Sequence, residues 1–131
     1  MNYWIFQSRT FDPTLLRTGA QIPWRATRYR TEMHSGDLVF LWIAGTPDKR
    51  GVYGWGQLTS GPYGVSGSYR VGFLFQKRLG SFISEERIRS QPILSNLMIL
   101  RVRVGTNFLI SHQEAKAIAS LMDAGERPQV A

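Results

Sequence analysis

Leu38 to Ala44 is apolar at every position, in a run too short for a core helix and preceded by the turn signal Ser35-Gly36-Asp37. A strand that alternates can leave one face in water, but a strand without alternation must be covered on both faces. This segment is therefore expected as a strand with material packed above and below it. Gly45 to Gly51, carrying Pro47, Asp48, Lys49 and Arg50, reads as a charged hairpin loop. Val52 to Thr59 returns as the partner strand. Its Gly54 and Gly56 share one face, where glycine admits a close approach by another backbone or ring, or marks a bend in a barrel.

Around this hairpin the remaining elements are short. Asn2 to Ser8, rich in Tyr, Trp, Ile and Phe, suits a first strand. Asp12-Pro13 opens a short helix that Gly19 ends, and a second short helix is expected over Ala26 to Glu32. Ser60 to Ser68, rich in Gly, Ser and Pro, reads as a flexible loop. Tyr69 to Lys77 is the next strand, with Val71, Phe73 and Phe75 inward. Ser84 to Arg89 is a short helix whose Glu85 and Glu86 complement the dipole of its first turn. Leu94 to Val104 fits either a strand or a helix end. Asn107 to Ile110 is a last strand, and Ser111-x-x-Glu114 is a capping box opening a final helix through Met122. The predicted class is α+β, a mixed and strongly curved sheet with small helices at its ends, nearer a partly open barrel than a doubly wound sheet.

The 131 residues fit one domain, expected over residues 1–124 with a frayed tail from Gly125 to Ala131. No cysteine is present, which removes disulfides, thiolate metal sites and a cysteine nucleophile. The apolar start lacks the basic flank and cleavage site of a signal peptide, and no run approaches the roughly 20 apolar residues of a membrane span. A soluble, cytoplasmic protein without a membrane partner is the expectation, and a monomer is favoured. His34 and His112, the two histidines, have no partners at metal-ligand spacing, and no serine sits in a nucleophile elbow. No catalytic residue, metal or cofactor is therefore assigned.

Sixteen Lys and Arg against nine Asp and Glu leave a formal charge of +7. Arginine dominates, and its planar fork binds phosphate bidentately and stacks on rings. Aromatic and basic residues interleave from Trp24 and Arg25 through Arg28, Tyr29 and Arg30, the composition that stacks a base and neutralises its phosphate. Trp24, between Pro23 and Arg25, is expected in a loop or at a helix start with an exposed ring face, whereas Trp4 and Trp42 read as core.

These pieces in this order resemble the EVE domain, a PUA-like fold related to the YTH and ASCH domains. The resemblance rests on Tyr3-Trp-Ile-Phe-Gln-Ser8, Trp24-Arg-Ala-Thr-Arg-Tyr-Arg30, Ser35-Gly-Asp-Leu-Val-Phe-Leu-Trp42, Arg50-Gly-Val-Tyr-Gly-Trp-Gly56 and Gly105-Thr-Asn-Phe-Leu-Ile-Ser111, spanning Asn2 to about Met122. It implies a small PUA-like mixed barrel that binds a modified nucleobase of DNA or RNA in an aromatic pocket, without catalysis. On that resemblance Trp24 occupies the stacking position, Ser8 the pocket floor, and Arg25 and Tyr29 the rim. The expected nucleobase-binding set is Trp24, Ser8, Tyr29, Trp55 and Asn107, and the expected phosphate contacts are Arg9, Arg25, Arg28, Arg30, Lys49 and Arg50. The rival reading is an ASCH-like ribonuclease, in which arginine, lysine and tyrosine supply the electrostatics.

Overall fold

The computed structural model describes residues 1–130. Its strands are β1 (Tyr3–Ser8), β2 (Gln21–Arg25), β3 (Leu38–Ile43), β4 (Gly51–Leu58), β5 (Tyr63–Val65), β6 (Ser68–Ser84) and β7 (Asn107–Ile110). Three α-helices accompany them: α1 (Glu85–Arg89), α2 (Met98–Arg101) and α3 (His112–Ser120). The strands form one sheet in the order β2-β6-β4-β3-β1-β7, with the short β5 paired to β6. Only β1 and β3 run parallel; the other pairs are antiparallel.

All six residues of β3 are buried, as its unbroken apolar run requires. Alternate residues feed two cores on opposite faces of the sheet. Tyr3, Ile5, Phe40, Trp42 and Ile83 face the helices, packing with Ile88, Ile99 and Ile118. Trp4, Phe6, Leu41, Phe73 and Phe75 fill the hollow on the other face. The sheet curls around that second core into a half-barrel. The bend is set where β4 and β6 slip register twice, between Val52 and Gly54 and between Trp55 and Gly56, because an extra residue bends and twists its strand. The two glycines permit it. A Cβ at Gly54 would stand 2.2 Å from the Lys77 carbonyl oxygen, and one at Gly56 would stand 2.0 Å from that of Leu74.

The curl brings the two sheet edges together at a single side chain. Asn107 at the start of β7 accepts from the Thr27 backbone N–H at 2.9 Å and from its hydroxyl at 3.1 Å, and donates to the Arg25 carbonyl at 3.1 Å. The other edge, β2, is thereby fastened across the opening. A second anchor is Asp37, which is buried. Its carboxylate accepts from the Asn2 N–H, the Trp4 indole and the His34 N–H, tying the turn before β3 to the start of β1.

Local signals hold where they are self-contained. Asp12 caps the 3-10 turn Pro13–Leu16 through the Thr14 N–H, and Ser111 and Glu114 form the reciprocal capping box of α3. Three expectations are corrected. Gln21–Arg25 is a strand, and the helix expected over Ala26 to Glu32 shrinks to the 3-10 turn Arg30–Glu32, because Tyr29 adopts the left-handed conformation. The loop Ser60 to Ser68 contains β5, joined to β6 through Ser66 and Gly67, both at positive φ, as a tight hairpin demands. Of the two readings open for Leu94 to Val104, the helical one holds: α2 (Met98–Arg101) follows the 3-10 turn Pro92–Leu94. The tail expected to fray is docked: the Glu126 carbonyl accepts from the Trp55 indole at 2.8 Å, its carboxylate accepts from the Gly80 N–H at 2.8 Å, and Val130 packs on the helix-side core. Ala131 lies outside the described residues. Among those described, no helix is long and apolar enough to cross a membrane.

Candidate nucleic-acid interface

Where the parallel strands β1 and β3 end together, their last residues separate and leave a cleft. The Ala44 N–H still donates to the Ser8 carbonyl at 2.8 Å, after which Arg9 and Gly45 lead away. The segment Val102 to Thr106 crosses this end. Buried Gln7 holds it with a backbone N–H to the Thr106 carbonyl at 2.9 Å and a side-chain amide that donates to the Gly105 carbonyl at 2.7 Å. The cleft encloses about 180 Å³ between Gln7, Trp42, Ala44 and Ile99, with Arg9, Arg50 and Arg103 around it.

Two features give this cleft a chemistry. The Trp42 indole N–H is buried and has no acceptor in the protein. An unsatisfied buried donor costs about 1–3 kcal/mol. The second is the charge balance. Glu85, the hub of the ion pairs, is 13% exposed at its side chain and meets Arg103 at 3.0 Å, Arg50 at 3.8 Å and Arg89 at 3.8 Å. One carboxylate against these arginines leaves positive charge unneutralised. It also holds Arg50 and Arg103 in place, with the Arg50 Nε–H donating to the Ala44 carbonyl at 2.8 Å. The walls thus present guanidinium donors, and one lining residue, the fully buried Trp42, keeps an indole N–H without an acceptor. Carbonyl and phosphate oxygens are the ligand atoms that match.

The expected nucleobase set does not converge here. Trp24 lies in β2, is 7% exposed, and packs its ring against Phe6 and Phe73, both at 5.7 Å between centroids. The expectation of a free ring face fails because β2 is an edge strand. Such a strand tolerates Pro23, and its alternation turns Arg25 outward and Trp24 inward. Trp55 stands on the helix-side face of the sheet, its indole bound to Glu126, so it shares no pocket with Trp24. Asn107 is buried and spends its polar atoms closing the half-barrel. Ser8 adjoins the cleft, its hydroxyl donating to the Thr10 carbonyl at 2.9 Å. Tyr29 is 42% exposed, at the start of the 3-10 turn Arg30–Glu32.

The phosphate set divides in two. Arg9 and Arg50 flank the cleft, with exposed Lys49 beside Arg50 on the β3–β4 hairpin. Arg25 ends β2, and Arg28 and Arg30 follow in the loop and 3-10 turn after it. The groups adjoin across Val102 to Thr106, since Arg28 and Thr27 line a second cleft of about 220 Å³ on that segment, while its Arg103 lines the first. Gln7, Trp42 and Arg103 carry no motif. Trp42 was visible as an indole inside an otherwise aliphatic and phenyl run, but its missing acceptor was not.

No protein-family profile and no curated protein matches the chain. Solved structures do. A hypothetical protein of Leishmania major superposes with a TM-score of 0.75 at 17% identity, over 92% of this chain and 94% of its own. A protein of Rhodopseudomonas palustris gives 0.74 at 16% identity over 98% and 100%, and one of Pseudomonas putida 0.72 at 16% over 91% and 98%. At such identities the likeness establishes a shared fold.

Proposed function

We propose that the protein binds nucleic acid without cleaving it, seating one base at the end of β1 and β3. The observation that carries this reading is a cleft flanked by three arginines and lined by Trp42, whose buried indole N–H has no acceptor. At about 30 Å³ per liquid water, a space of about 180 Å³ corresponds to roughly six waters. A base carbonyl that enters far enough would accept a hydrogen bond from the indole N–H, and the guanidinium groups would donate to the adjoining phosphates. Extruding a base from a duplex costs a few kcal/mol, which favours unpaired strands.

The finer reading, a PUA-like barrel of the EVE kind that prefers a modified base, is supported by the order of the sequence pieces and by the curled sheet. With Trp24 packed into the core, discrimination of an added methyl group falls to the cleft walls. Burying that methyl contributes about 0.8 kcal/mol, roughly a fourfold preference.

Fluorescence anisotropy with labelled single-stranded RNA and DNA, each with and without methylated bases, tests both levels. The double variant Arg9→Ala/Arg103→Ala should weaken binding at least about tenfold and reduce the magnitude of the salt slope by about two. Equal affinity for wild type and variant, or no binding to any strand at low salt, removes the proposal. Gel analysis of the same samples reads strand integrity, and cleavage would favour the ribonuclease.

A further inference from the structure

On the outward face of β2, β5 and β6 lies a groove of about 260 Å³ that plays no part in the cleft, between Tyr63 and Pro23 with Gly72 and Gln21 alongside. Tyr63 is 42% exposed, so its ring is accessible. Proline opposite a tyrosine makes a flat, apolar slot. Beside it, Arg70 is flanked in the sheet by Arg25 on one side and by Tyr63 on the other. Directly opposed like charges destabilise a strand pair. Among the described residues neither of these arginines joins an ion pair, so neither is neutralised. Around the strand end the same pairing recurs, with the Arg30 guanidinium 4.3 Å over the Tyr69 ring, itself 42% exposed.

We propose that this groove is a second nucleotide subsite, in which an unpaired base of a single strand stacks on Tyr63 while Arg25 and Arg70 hold its phosphates. The assignment rests on the nucleic-acid reading of the cleft. An exposed ring beside guanidinium groups is how proteins take single strands without reading their sequence. An acidic peptide would use the charges but leave the slot between Tyr63 and Pro23 unfilled. The subsite also joins the cleft physically: Arg25 precedes Thr27 and Arg28, which line the second cleft against the segment that carries Arg103.

The experiment compares a trinucleotide, short enough to fill one site, with a strand several times longer. Wild type should bind the longer strand at least about tenfold more tightly, since the second site engages intramolecularly. Tyr63→Ala/Arg70→Ser should lower longer-strand affinity about 5- to 100-fold, leave trinucleotide affinity unchanged, and keep the melting temperature, as it relieves the Arg25–Arg70 repulsion. Tyr63→Phe keeps the ring and should bind as wild type. If the double variant holds the longer strand as wild type does while both bind the trinucleotide, the subsite is wrong and the cleft reading stands. If wild type binds neither strand, both fall. Competition by polyglutamate equal to that by the longer strand at matched charge would overturn the stacking assignment, as would Tyr63→Phe behaving like Tyr63→Ala.

Discussion

Asn107 accepts two hydrogen bonds from Thr27, one from the backbone N–H and one from the hydroxyl, although 80 residues separate the two in the chain. With the bond from its amide to the Arg25 carbonyl, one buried side chain substitutes for the ladder that would close a full barrel. A backbone ladder cannot form there, because β2 has left the strand conformation by Thr27. The clasp also sets where Arg28 lies relative to Val104, and so shapes the second cleft.

Asn107→Ala is expected to destabilise the fold by about 2–3 kcal/mol, since it strands the Thr27 N–H and the Arg25 carbonyl in a half-buried setting. Urea denaturation measures the loss. Hydrogen exchange at Thr27 should accelerate more than exchange in β3, because the opening is local to the sheet edge. Uniform acceleration across the sheet would contradict a clasp role.

Gly56→Ala is expected to cost about 3 kcal/mol, because its Cβ would lie 2.0 Å from the Leu74 carbonyl oxygen and 2.8 Å from the Phe73 ring. Neither neighbour can yield cheaply, as one is backbone and the other fills the barrel core. Gly64→Ala serves as the control, since its Cβ would meet nothing closer than 4.0 Å. Comparable destabilisation of the two variants would show that the close approach does not set the curl.

How far the sequence carried depended on the range of the interactions involved. The doubly covered β3, the crowded glycines of β4 and the box of Ser111 and Glu114 are written in adjacent residues, and each is found as expected. Trp24 misled because Pro23 and Arg25 are loop signals locally, yet an edge strand accommodates both. Asn107 and Glu85 act through partners distant in the chain, so nothing beside them announces their roles. The cleft is assembled from Gln7, Trp42, Arg50 and Arg103, which topology alone makes neighbours.

Tyr29 stands at φ 61 and ψ 20, where a bulky side chain is strained and asparagine is tolerated. Its ring is 42% exposed, with the Arg28 guanidinium 5.9 Å from its centroid, so little apolar burial offsets the strain. Tyr29→Asn should raise stability by about 0.5–1 kcal/mol in chemical denaturation. Tyr29→Val, β-branched, should lower it. If strand affinity falls in Tyr29→Asn while stability rises, the strain is retained for the surface the ring presents. A fall in both would mean that the ring supports the loop.

Tyr53 supplies a pH dependence. Its phenol donates to the Lys49 carbonyl, and its ring stacks on Phe82 at 4.6 Å between centroids. Burial pushes the phenol above its ordinary value of 10.0; the nearby Arg78 charge opposes that rise and Asp48 adds to it. A folded-state value above the unfolded one means that the neutral phenol is what the fold favours. Its contribution is complete below about pH 10 and is lost as pH rises through the folded-state value. Tyr53→Phe should therefore lose less stability than wild type on going from about pH 9 to about pH 11, since it has no proton to release. Thermal melts of the two proteins across that range measure the difference, and parallel slopes would show that the phenol titrates alike in the folded and unfolded chains.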